Sequence, residues 1–120
     1  MEYNLSRGEG RHQVNLQAID FGGDLLIHIF NENAHIGAVS VGEFDFVNER
    51  ASVSVMTRLG HKDDSLAQKA AYLISKYTRK TVCVVAGVHL DNISQAEITI
   101  LAENAGALVE ELLNQFGFQL

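Results

Sequence analysis

Two periodicities divide the chain. Through residue 57 apolar positions recur every second residue, whereas beyond residue 63 they recur at helical spacing, with one short apolar run between two helical stretches. Residues 11–21 read as a strand in which Val14, Leu16 and Ala18 alternate with Asn15, Gln17 and Ile19. Gly22-Gly23-Asp24 marks a turn. Residues 25–31 read as a second strand, and Asn31-Glu32-Asn33 as the next turn. A third strand covers 35–42, with His35, Gly37, Val39 and Val41 on one face. A loop from Asp45 to Glu49 leads to a fourth strand over 51–57, where Ala51, Val53, Val55 and Thr57 alternate with Ser52, Ser54 and Met56. Valines alternating with serines imply one buried and one polar face. Four short strands with tight connections predict an antiparallel meander.

The helical half is bounded by clear signals. Leu66, Ala70, Leu73, Ile74 and Tyr77 form one stripe of a helix, with Asp63 or Asp64 available to cap its start and Lys76, Arg79 and Lys80 at its negative end. Residues 81–86 (TVCVVA) read as a central strand buried on both faces. Ser94 and Glu97 make a capping box for the last helix, and Ile93 with Ile98 has the spacing of a hydrophobic staple. Its stripe runs from Ile98 through Leu101, Ala102, Ala105, Leu108, Val109, Leu112 and Leu113 to Phe116; Gly106 interrupts the helix and Gly117 ends it. The expected fold is α+β: a four-stranded antiparallel meander followed by helix-strand-helix, giving a mixed five-stranded sheet with two helices on one face.

Composition narrows the function. A chain of 120 residues fits one domain, 1–120, with a radius of gyration of about 14 Å. Lys plus Arg number 9 against 15 Asp plus Glu, a net charge of -6, which argues against binding nucleic acid or an anionic membrane by bulk electrostatics. One cysteine, Cys83, excludes an intrachain disulfide and any CxxC motif, and its apolar strand makes it inert. No apolar run is long enough for a membrane span, and MEYNLSRGEGRH lacks a signal-peptide core, so a cytoplasmic location is expected. Gly8-Glu9-Gly10 lacks the third glycine of a dinucleotide fingerprint and reads as a flexible arm, with Arg11 near enough to contact a ligand.

Two connections carry chemistry. Arg58-Leu-Gly-His-Lys-Asp-Asp64 joins the fourth strand to the first helix. A helix start offers unpaired N–H groups, Gly60 permits close backbone approach, and Arg58, His61 and Lys62 add positive charge, so this loop suits a phosphate or carboxylate. The plainer alternative is that Asp63 or Asp64 caps the helix and the basic groups are solvated. The second connection, Ala86-Gly-Val-His-Leu-Asp-Asn92, leaves the apolar strand and offers His89, Asp91 and Asn92, or merely turns the chain. If the two strands feeding these loops run parallel as neighbours, both loops open on one sheet edge. His35, His61 and His89 with a carboxylate would suit a divalent transition metal. His12 and His28, in predicted strands, read as structural.

The segments HIGAVSVGEFD (35–45), RLGHKDD (58–64) and VVAGVHLDNIS (84–94) together resemble the small LpdD-type family of prenylated-flavin chaperones, found beside UbiD-type decarboxylases and UbiX-type flavin prenyltransferases. The resemblance spans most of residues 11–115; Ala34 stands where the family pattern has proline. It implies a protein that binds reduced prenylated FMN, with a divalent metal, and passes it to an aromatic-acid decarboxylase. Carried onto this sequence, the matching positions are His35, then Arg58, His61, Lys62 and Asp63, then His89, Asp91 and Asn92. By their chemistry His35, His61, Asp63, His89 and Asp91 suit the metal, and Arg58, Gly60, Lys62 and Asn92 the cofactor.

The expectation is therefore a non-catalytic carrier with the flavin ring packed on the Gly/Val-rich strand face. The competing reading is a small metal-dependent hydrolase that uses the same histidines and carboxylates. A third is a scaffold subunit without a ligand. The apolar meander face and the segment Phe116 to Leu120 suggest a homodimer.

Overall fold

The computed structural model describes residues 2–120. Six strands form one sheet: β1 (Glu2–Arg7), β2 (Val14–Phe21), β3 (Asp24–Phe30), β4 (Ala38–Asp45), β5 (Arg50–Thr57) and β6 (Val82–Gly87). Helix α1 (Asp64–Thr78) connects β5 to β6, and α2 (Gln95–Gln115) follows β6. The α+β class and the two helices on one face agree with the sequence reading.

The strand order is β1-β2-β3-β6-β4-β5. Two features correct the sequence expectation. The sheet has a sixth strand, β1, where the sequence reading put only an N-terminal arm. The predicted meander is split, because β6 inserts between β3 and β4, parallel to the first and antiparallel to the second. Smaller corrections follow. His35 to Gly37 form a loop ahead of β4 rather than part of it, and His12 lies in a single 3-10 turn (Gly10–His12), not a strand.

Alternation decides which face is covered. Val14, Leu16 and Ala18 of β2, Leu25, Ile27 and Ile29 of β3, Val82, Val84 and Ala86 of β6, and Ala38 and Ser40 of β4 are buried beneath the helices. Against them pack Ala67, Ala70, Ala71 and Ile74 of α1 and Leu101, Ala105, Leu108, Val109, Leu112 and Leu113 of α2. The small residues of α1 let it lie close to β4; the buried Ser40 hydroxyl donates to the Ala67 carbonyl at 2.7 Å. Alanines and a hydroxyl contact thus set that spacing, while leucines set the other.

Helix α2 begins in the predicted capping box, with the Glu97 N–H donating to Ser94 Oγ at 3.1 Å. It ends at Gly117, φ +98°, after which Phe118 N–H bonds Leu113 O at 3.0 Å. The C-terminal aromatics are engaged inside the chain: Phe116 meets Tyr3 edge-on at 5.2 Å and Phe118 lies 6.0 Å from Tyr77. The opposite face of the sheet carries no helix, so the prediction that residues 81–86 are buried on both faces fails within one chain; Cys83 and Val85 are half-buried.

Candidate functional site

The register fixes where the loops go. Thr57 at the end of β5 pairs with Ala38 at the start of β4, Ala38 with Ala86 near the end of β6, and Ala86 with Ile29 near the end of β3. The carboxyl ends of three strands and the amino end of β4 therefore share one sheet edge. β5 and β6 run parallel but are not neighbours, since β4 lies between them. The two loaded loops still open on the same edge, and the His35 loop joins them.

They border a cavity of about 640 Å³ whose polar lining is Asn33, His35, Arg58, Gly60, His61, Lys62, Asp63 and His89. Its remaining wall is apolar: Leu66, Val88, Leu90, Ile93, Ile98, Leu101 and Ala102, from the N-terminal turns of both helices and the loop between β6 and α2. The volume lies within the ~300–1,000 Å³ common for small-molecule sites.

Within the polar lining, ligand atoms of His35, His61 and Asp63 lie within 4.8 Å of one another. His35 and His61 rings are 5.0 Å apart, and the His89 ring is 6.5 Å from His35. His35 Nδ1 sits 2.7 Å from the Asn33 carbonyl, to which it donates, and Nε2 faces the cluster, 3.7 Å from Asp63 Oδ2. Asp63 occupies the N-cap position of α1 but makes no capping bond with its side chain. It turns into the site instead, where Oδ1 accepts the Val88 N–H at 3.2 Å. Burial pushes its carboxyl above the ordinary value, and the Val88 N–H and the three imidazoles only partly offset this.

Two glycines make that approach possible. A Cβ on Gly37 would collide with the Asp63 carboxylate, and one on Gly87 with the His35 carbonyl. The backbone of the His35 loop can therefore lie against the end of β6, where the Gly37 N–H donates to Ala86 O at 2.9 Å.

The donor set suits a metal. Two imidazoles and a buried, incompletely balanced carboxylate are the ligand types of a divalent transition ion, whose charge would relieve the burial of Asp63. Arg58 donates through Nη1 to the Ile36 carbonyl at 2.9 Å, and Lys62 is exposed at the rim. Two predicted residues lie outside the lining. Asn92 is exposed with φ +54° and serves as a turn residue, while Asp91 holds His89, Oδ1 to Nε2 at 3.1 Å. Gly60, φ +78°, supplies the left-handed residue of its loop.

The sequence profile of the prenylated flavin chaperone LpdD-like domain matches residues 8–117. The chain belongs to the LpdD-like chaperone family. It is 29% identical over 103 residues to Protein LpdD of Lactiplantibacillus plantarum, covering 85% of this chain and 74% of that protein. Its fold is also that of a chain in the crystal structure of a chaperone complex for yeast 20S proteasome assembly, with a TM-score of 0.60, 15% identity, and coverage of 97% and 95% of the two chains.

In this LpdD-like chain several site residues escaped the sequence reading. Asn31, 2% exposed, donates to His89 O at 2.8 Å and accepts from the N–H groups of Asn33 and His89. It ties the end of β3 to the loop carrying His89, yet in sequence it looked like an ordinary turn residue. Arg11 is not part of the cavity lining: Nε pairs with Glu97 Oε2 at 2.9 Å and Nη2 donates to Asp91 O at 3.0 Å, clasping the start of α2. The apolar wall was read as core stripe, because helical spacing does not distinguish a face on the sheet from one on a cavity. Among the described residues no helix is long and apolar enough to cross a membrane.

Proposed function

We propose that this chaperone is a non-catalytic carrier of reduced prenylated FMN, loaded by a UbiX-type flavin prenyltransferase and unloaded to a UbiD-type aromatic-acid decarboxylase. The observation that supports this most directly is the pairing, in one cavity, of the His35, His61 and Asp63 cluster with an adjoining apolar wall. The cofactor has the same two-part character, an anionic phosphate and a flat, prenyl-bearing ring.

In this reading His35, His61 and Asp63 hold a divalent metal, with His89, steadied by Asp91, at its side. The metal supplies the positive charge through which an acidic protein can bind a phosphate. Arg58 and Lys62 add donors at the mouth. Leu66, Ile93, Ile98 and Leu101 receive the ring and shield it from water and oxygen. This places the ring between the helix starts rather than on the Gly/Val-rich strand face. A carrier must also release its cargo, so exposed cations at the rim are better suited than buried ones.

Native mass spectrometry tests the reading, on protein purified without oxygen from cells overproducing a flavin prenyltransferase. The expected result is a bound mass equal to reduced prenylated FMN plus a divalent ion, lost in His61→Ala with the circular dichroism spectrum unchanged. Bare protein, under conditions where the cofactor is demonstrably made, would refute it. Two histidines and a carboxylate are also the donor set of hydrolytic metal sites, which keeps the hydrolase as the second reading. Chelator-sensitive turnover of phosphoesters would favour it.

A further inference from the structure

The helix-free face of the sheet is a surface the carrier role leaves unused. Its central rows are Ile19–Leu26–Cys83–Val41–Ser54 and Gln17–His28–Val85–Val39–Met56, each running across β2, β3, β6, β4 and β5. Neither row contains Lys, Arg, Asp or Glu. Phe30 adjoins them, stacked on His28 at 4.3 Å. Val41 and Met56 are 43% and 73% exposed. Asn4, Asn15 and Ser52 border the block, and the charges of this face lie at its margin: Glu2 beside Ile19, Asp24 beside Phe21, Glu43 beside Ser52, and Asp45 paired with Arg50. An apolar centre with a polar rim is the anatomy of an interface.

The β3–β6 pair adds a second argument. Parallel strands with continuous apolar runs, LLIHIF and VCVVAG, belong to sheets covered on both faces. One face here is covered by α1 and α2; the other awaits a second layer.

We propose that the second layer is another copy of this chain, with the two sheets packed face to face about a two-fold axis. A copy fits for two reasons. The centre of the face carries no charge with which to select an unlike partner, whereas the whole chain carries -6, so two copies approach closely only where such uncharged centres meet. The area is also sufficient when the polar and charged margin is counted as the rim: six strands about 4.8 Å apart and some 20 Å long give roughly 600 Å² per protomer, near 1,200 Å² in all, at the lower bound of stable specific interfaces. The dimer would also cover the shallow cavity beside His28, Val85 and Ile36, which His35 borders from the metal side.

Sedimentation velocity tests this on the full chain. The wild type should sediment as a species of twice 13.2 kDa. Val41→Lys and Met56→Lys, at positions exposed in the monomer, should keep the native circular dichroism spectrum and weaken association by about 100-fold. Ile98→Lys, on the cavity rim, should remain dimeric. Cys83, the single thiol, gives an independent reading: a thiol reagent should modify it slowly in the wild type and quickly in Val41→Lys. A wild-type monomer overturns the proposal, as does a Val41→Lys, Met56→Lys double variant that still dimerises. If the wild type is monomeric and Val41→Lys abolishes binding to a UbiD-type decarboxylase, the face belongs to that partner instead.

Discussion

At the residue scale the site is organised around one buried charge. Asp63 stands where a helix cap should be, yet its carboxylate faces two imidazoles rather than the first turn of α1. Burial raises its pKa, so the folded chain holds that proton more tightly than the unfolded chain does. The sign of the linkage follows: the contribution to stability is fully present below the ordinary aspartate value and is lost as pH rises through the folded value. Asp63→Asn removes the charge and keeps an oxygen to accept the Val88 N–H. Without metal, the variant should melt above the wild type at neutral pH, with the gap closing in acid. A divalent metal should reverse the order, because binding at about 100 times Kd stabilises by about 2.7 kcal/mol, and only the wild type keeps the full ligand set. Melting curves with chelator and with added metal read both effects. A variant that melts lower without metal at neutral pH would make Asp63 a structural hydrogen-bonding group.

At the scale of elements, close contacts at the sheet edge hold the three loops together. Gly87→Ala pushes a methyl group into the His35 carbonyl and should cost about 1–3 kcal/mol, with metal affinity falling as the loop moves away. Asn31→Ala leaves the His89 N–H without its acceptor and the His89 carbonyl with the Asn33 amide alone, a loss of roughly 1–3 kcal/mol; urea denaturation measures both. The elements themselves were legible in the sequence because alternation and capping are local. The capping box at Ser94 appears where the residues put it, and so does the core stripe of α2 from Leu101 to Leu113, apart from Ala102, which with Ile98 lines the cavity instead. β1 was missed because only Tyr3 and Leu5 mark its buried side, against Asn4 and Ser6 on the other. The place of β6 was not legible at all: its apolar run announces a central strand but names no neighbours, and pairing with β3 and β4 is decided by how the chain returns through α1. The site shows the same division. Both loops meet because β5 and β6 share a direction, which the βαβ pattern suggested. Asn31, Gly37 and Gly87 act through contacts with distant segments, and nothing beside them in sequence reveals those contacts.

At the scale of the whole molecule, charge and surface make opposite demands. An acidic chain repels its own copies, yet it exposes a sheet face with an uncharged, largely apolar centre. That combination fixes how association should respond to conditions. If two copies meet through the rows centred on Cys83 and Val85, no ion pair forms between those rows, and the main electrostatic contribution is the repulsion between two chains of net charge -6. Salt screens that repulsion over a Debye length of about 8–10 Å at ordinary ionic strength. The dimer should therefore tighten as salt is added, and its melting temperature should rise with protein concentration, since each tenfold increase favours the dimer by about 1.4 kcal/mol. Val41→Lys should abolish the concentration dependence. Sedimentation equilibrium across a salt series decides the matter. A dimer that loosens with salt is held by charge pairs, which the central rows of this face do not contain, and its interface would have to lie elsewhere.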